Sequence, residues 1–180
     1  MVGYMSLEEQ VDVDFTRARR RAFFRRLMAR LRNGPASNEL LCFEDLRTKL
    51  GVVGGVRVGR REIRVEQIVG SLGRSSEFDW VFLPTKTSVG ERWKRIDRAF
   101  HRGEELPPVS LYKIGDSYFV ADGNHRVSVA RYHGVEWIDA EVTEFRTSAR
   151  DGEVSTPSRR PSTVTRSQRQ RIRAEHAGHV

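Results

Sequence analysis

The residues best suited to chemistry in this 180-residue chain are Asp122-Gly123-Asn124-His125-Arg126. An apolar run, Ser117 to Ala121, precedes them, and Val127, Val129 and Ala130 follow at helical spacing, so the pentapeptide reads as a strand-to-helix turn. Glycine allows a backbone geometry closed to other residues and lets a ligand approach the main chain. The next residues present N–H groups at the positive end of a helix dipole, which suits an anion. His125 and Arg126 add side-chain donors, and a guanidinium matches phosphate oxygens in a two-point fork. Asp122 has three readings: helix cap, orienting partner of His125, or ligand of a magnesium ion beside phosphates. An ordinary helix N-terminus uses the same residue types, so the pentapeptide alone leaves site and cap open.

The elements around the turn can be read from periodicity. Ser6 and Glu9 form a capping-box pattern that opens a helix to about Arg32, stopped by Asn33-Gly34-Pro35. Its first apolar stripe is Val11, Phe15, Ala18 and Ala22. Its second, Phe23, Phe24, Leu27, Met28 and Leu31, lies on a different face, opposite Arg25, Arg26, Arg30 and Arg32. A short helix is expected from Phe43 to Leu50, broken by Gly51-Val52-Val53-Gly54-Gly55; these glycines lack the lysine and hydroxyl residue of a nucleotide loop. Ile63 to Val69 suggest a strand running into a helical turn. Residues 70–87 have no clear period but are too apolar for an exposed loop, so they fold over the domain or act as a lid. Ser88 and Glu91 predict a capped helix to about Arg102, burying Trp93, Ile96 and Phe100. A hairpin over 109–121 turns at Gly115-Asp116, and a last strand starts at Trp137. The pattern divides the chain into an N-terminal helical extension (1–59), an α/β domain (60–145) with a small mixed sheet and packed helices, and a polar, basic tail (146–180) expected to be disordered.

The net charge of +8 is uneven. Residues 1–60 carry 12 basic and 7 acidic groups, 61–144 carry 12 and 14, and 145–180 carry 8 and 3. Basic flanks suit nucleic acid, although a merely solvating role explains them equally well. The N-terminal helix is a candidate homodimer surface. The single Cys42 excludes a disulfide framework and suits a reducing cytoplasm, and no run is long enough to span a membrane. A soluble cytoplasmic protein is expected. Lys86, Thr85, Thr87 and Ser88 precede a helix and can reach a second phosphate, unless Ser88 simply caps. His101 and His133 sit at helix ends, where a protonated imidazole offsets the dipole. His176 and His179 lack neighbouring ligand types, so no metal site is expected there. Trp80, Trp93 and Trp137 read as core.

The run Leu106-Pro107-Pro108-Val109, Tyr118 to Val127 and Ala130, with Ile63 to Ile68 upstream, resembles the ParB/sulfiredoxin-like superfamily over about residues 60–145. The resemblance implies an α/β fold that binds a nucleotide, a nucleoside di- or triphosphate with Mg2+, through Gly123, Asn124, His125 and Arg126. Sulfiredoxins place a nucleophilic cysteine where this chain has Asn124, so sulfinate reduction is not expected. ParB proteins of chromosome partitioning continue into a second nucleotide motif and a helix-turn-helix, and the polar tail offers neither. The free-serine kinases have the most similar turn, Asp-Gly-His-His-Arg, with one histidine replaced by Asn124. Their glutamate base has only a weak counterpart here, Glu77. Nucleotide hydrolysis and small-molecule phosphoryl transfer, with Asp122 and His125 as catalytic candidates, therefore stand beside a non-enzymatic, DNA-associated role through the flanks.

Overall fold

The computed structural model describes residues 5–33, 40–73 and 76–147; the expectation for the tail therefore falls almost wholly outside the described residues. The described elements are α1 (Leu7–Asn33), β1 (Leu41–Cys42), α2 (Phe43–Leu50), β2 (Val52–Arg64), β3 (Ile68–Ser71), α3 (Gly90–His101), β4 (Val109–Ile114), β5 (Ser117–Asp122), α4 (Asn124–His133) and β6 (Trp137–Thr147). None of the described helices is long and apolar enough to cross a membrane.

The strands form one six-stranded mixed sheet in the order β1-β3-β5-β4-β6-β2. β4 and β5 are the expected antiparallel hairpin, and β6 lies parallel to β4. Side chains alternate between the sheet's faces. Leu111, Val120, Ala140 and Val142 point into the larger core with α1, α3 and α4, whereas Ile114, Phe119 and Phe145 join Phe43 of α2 on the other side. This is the expected mixed α/β fold class.

α1 belongs to that core. Val11, Phe15, Ala18 and Ala22 are buried, and Phe15 lies 5.5 Å from the Trp93 ring. Its capping box forms as the spacing predicts, with Ser6 N–H donating to Glu9 Oε2 at 2.8 Å and Glu9 N–H to Ser6 Oγ at 3.3 Å. The second stripe, Phe23 to Leu31, is exposed.

Several expectations need correction. Gly51 ends α2 as expected, capping it in a left-handed conformation (φ 57°), but residues 52–55 are not a loop; they open β2, which pairs with β6 across Val52 to Arg64. Gly54 (φ +59°) and Gly59 (φ +91°) fall where the register shifts, so the glycines supply the bulges a long edge strand needs. The break drawn at 59/60 therefore lies inside β2. Ser88 does not cap α3. It is exposed in the 3-10 turn Thr87–Val89, and the helix starts at Gly90 with no side-chain cap bond, where a Cβ would come within 2.9 Å of the Phe15 ring. Close packing on α1, rather than capping chemistry, sets this boundary. Trp93 is fully buried, but Phe100 and Trp137 are 38% and 46% exposed. Phe100 stacks on His133, and Trp137 carries Arg64 over its ring. His101 and His133 do more than face a dipole, since they bond to the carboxylates of Asp14 and Asp97.

Candidate functional site

β5 delivers the chain to Asp122, and Gly123 turns it into α4 with φ +106° and ψ 22°. A Cβ at 123 would also sit 2.7 Å from Val109 Cγ1, so both conformation and space demand glycine. The first helical bond runs from Val127 N–H to Gly123 O at 3.0 Å. The N–H groups of the first turn of α4 point out of its positive end. Gly123, Asn124 and His125 are buried, and Asn124 Oδ1 is a buried acceptor without a hydrogen-bond partner. A buried acceptor of this kind is short of a donor or a cation.

His125 and Arg126 leave the turn in different directions. The His125 ring lies 5.4 Å from Phe78, nearly perpendicular to it. Phe78 belongs to segment 76–86, which is packed into the core by Phe78, Val81, Phe82 and Leu83 rather than standing off as a lid. Asp79 organises the segment, its Oδ1 accepting from Val81 N–H at 3.0 Å and Leu83 N–H at 2.8 Å. Burial pushes the Asp79 carboxyl up to about 6, against the pull of these backbone bonds and of Arg25. Phe82 takes a left-handed backbone conformation (φ 65°) inside this loop, a strain that its burial holds in place. Glu77, adjacent to Phe78, accepts from Thr85 through its carbonyl oxygen. Lys86 Nζ reaches back to Ser76 Oγ at 3.3 Å.

Arg126 points toward the segment before β4. Its Nη1 donates to the carbonyl oxygens of Pro107 and of Pro108, the latter at 2.8 Å, and its Nη2 to Asp122 Oδ2. The guanidinium is 12% exposed, whereas the Asp122 carboxylate is 63% exposed. Two of its three partners are therefore fixed backbone and the third is an exchangeable surface group. On this side of α4 a cavity of about 280 Å³ is lined by Arg126 with Leu106, Pro107, Val129, Trp137 and Ile138. Sequence reasoning did not find this cavity. Its one visible signal was Trp137, an aromatic residue at the start of a strand.

No protein-family model matches the chain, and no curated protein matches it. Among solved structures it is similar to the crystal structure of sulfiredoxin from Arabidopsis thaliana, at 16% identity over 48% of this chain and 86% of that chain, with a TM-score of 0.37.

Proposed function

We propose that the β5–α4 turn binds a phosphate-bearing ligand, a nucleoside di- or triphosphate with magnesium. The observation that carries this reading is the helix start at Gly123, where the positive end of α4 opens and the first helical residue, Asn124, has a buried Oδ1 without a partner. A phosphate takes the N–H groups of residues 124–126, and Arg126 joins it by exchanging Asp122 for a phosphate oxygen. Asp122, released, and Asn124 Oδ1 are the two oxygen donors for Mg2+. The cavity beyond Arg126 receives the apolar part of the ligand. His125, held against Phe78, neutralises charge that develops on the phosphate, so phosphoryl transfer or hydrolysis would rest on positioning and electrostatics.

Calorimetric titration of nucleoside di- and triphosphates, with and without magnesium, tests this. Binding should strengthen with magnesium and fall in Asn124→Ala. If none of these nucleotides binds up to millimolar concentration, the reading fails.

A further inference from the structure

Asp14 of α1, Asp97 and His101 of α3 and His133 of α4 bring their donor atoms together, all within 4.8 Å of one another, in a cluster that shares no residue with the β5–α4 turn. We propose that these four side chains are a tetrahedral site for a divalent transition-metal ion of the zinc type, which clips α1 to α3 and α4.

The distances suit such an ion. His133 Nε2 lies 2.6 Å from Asp97 Oδ1, His101 Nε2 lies 2.9 Å from Asp14 Oδ2, and His101 Nε2 lies 3.7 Å from Asp97 Oδ2. Ligands about 2.0–2.1 Å from a tetrahedral centre stand about 3.3 Å apart, so the observed spread brackets the required edge. Asp97 supplies an independent sign of a missing partner. Its side chain is 0% exposed, and its Oδ2 faces His101 yet has no hydrogen-bond partner. Asp97 and His101 are four residues apart, which puts them on one face of α3.

The surroundings hold the ligands in place. Tyr132 Oη donates to Asp14 Oδ1 at 2.7 Å, and Gln10 Nε2 to Asp14 Oδ2 at 3.0 Å. Phe100 stacks on the His133 ring at 4.2 Å and 17°. Supporting bonds of this kind orient a ligand set. Two imidazole nitrogens with two carboxylate oxygens favour zinc, cobalt or nickel over magnesium and calcium, which prefer oxygen alone. One divalent ion also balances the two buried carboxylates while leaving both imidazoles neutral. Four protein ligands fill a tetrahedron, so the site is structural rather than catalytic.

The competing account is a hydrogen-bonded cluster that takes up no ion. Ligands bind a metal in their deprotonated form, so the two accounts are separated away from acid pH. Full-length protein, stripped with a chelator, should be titrated with Zn2+ and with Co2+ at mildly alkaline pH. One ion should bind per chain, Co2+ should give the visible bands of a tetrahedral centre, and Zn2+ should raise the melting temperature. His101→Ala alters the most exposed ligand and should retain the far-UV circular dichroism, lose the cobalt bands and bind at least about tenfold more weakly. Replacing His176 and His179 together by alanine should change nothing. The proposal is overturned if wild type takes up no ion, if cobalt shows only the spectrum of the hydrated ion, or if both His101→Ala and Asp97→Asn bind like wild type.

Discussion

At the scale of the residue, Arg126 carries two jobs that pull apart. Its bonds to the carbonyls of Pro107 and Pro108 tie α4 to the segment before β4, while its bond to Asp122 occupies the edge that a phosphate would use. Asp122→Asn removes the competing carboxylate without removing the guanidinium. If Asp122 only screens Arg126, the variant should bind inorganic phosphate and magnesium-free nucleotide more tightly; if Asp122 also holds Mg2+, the gain that magnesium gives wild type should shrink. Titrations with and without magnesium read both effects, and an affinity unchanged in either condition would remove Asp122 from the site. Arg126→Ala should destabilise the free protein by roughly 0.5–1.5 kcal/mol, since an exposed and a half-buried carbonyl lose a charged donor but stay open to water. Gly123→Ala should cost about 2–4 kcal/mol by denaturant melts, because an αL conformation and a Val109 contact of 2.7 Å are both violated. Glycine before a helix with His-Arg was legible in the sequence as a turn. The direction of Arg126 was not, because two of its three acceptors are backbone atoms of distant prolines and carry no side-chain signature.

At the scale of the element, the segment 76–86 explains why residues 70–87 showed no period. Two of its backbone donors, Val81 and Leu83, converge on a single carboxylate, Asp79, and one bridge joins Phe78 to Pro84. Neither helix nor strand spacing can record that arrangement. The same limit applies to capping: the Ser6–Glu9 box forms at the start of α1, whereas Ser88–Glu91 lost to the packing of Gly90 on Phe15. A pH dependence follows from Asp79. Its folded value near 6 lies above the ordinary aspartate value near 4, so the folded state binds the proton more tightly than the unfolded state does. Its contribution to stability is therefore full below about pH 4 and is lost as pH rises to about 6, a change on the order of 3 kcal/mol. Asp79→Asn retains an acceptor for Val81 and Leu83 but cannot ionise. Chemical denaturation across this range should show the variant gaining on wild type as pH rises and the difference levelling off above about 6. Stability curves that stay parallel throughout would mean that Asp79 titrates normally.

At the scale of the whole molecule, composition drew a boundary that packing does not respect. Charge and periodicity separate residues 1–59 from the rest, yet β2 crosses residue 59 while paired to β6, and three side chains of α1, Phe15, Ala18 and Ala22, enter the main core. Burying Val11 and Phe15 alone contributes about 3–6 kcal/mol, comparable with the whole net stability of a domain, about 5–15 kcal/mol. A chain lacking residues 1–33 should therefore fail to melt cooperatively, whereas a chain ending at residue 147 retains every described strand pair and should melt close to full length. This asymmetry decides how nucleic-acid binding, the alternative raised by the basic flanks, can be tested. The N-terminal flank must be neutralised in place rather than deleted. Arg20 and Arg30 are exposed on α1 and suit that purpose. Binding to duplex DNA should be measured against salt for wild type, for the chain ending at 147, and for that chain with Arg20→Gln and Arg30→Gln. If the flanks carry binding, affinity should weaken uniformly across sequences, and the slope of log affinity against log salt should fall by about 1 for each phosphate contact removed. An unchanged slope would exclude Arg20, Arg30 and the residues beyond 147, leaving the rest of α1 or the middle segment, where 14 acidic groups outnumber 12 basic ones. Retention there would require a local basic groove, and net charge would then be a poor guide to the partner of this fold.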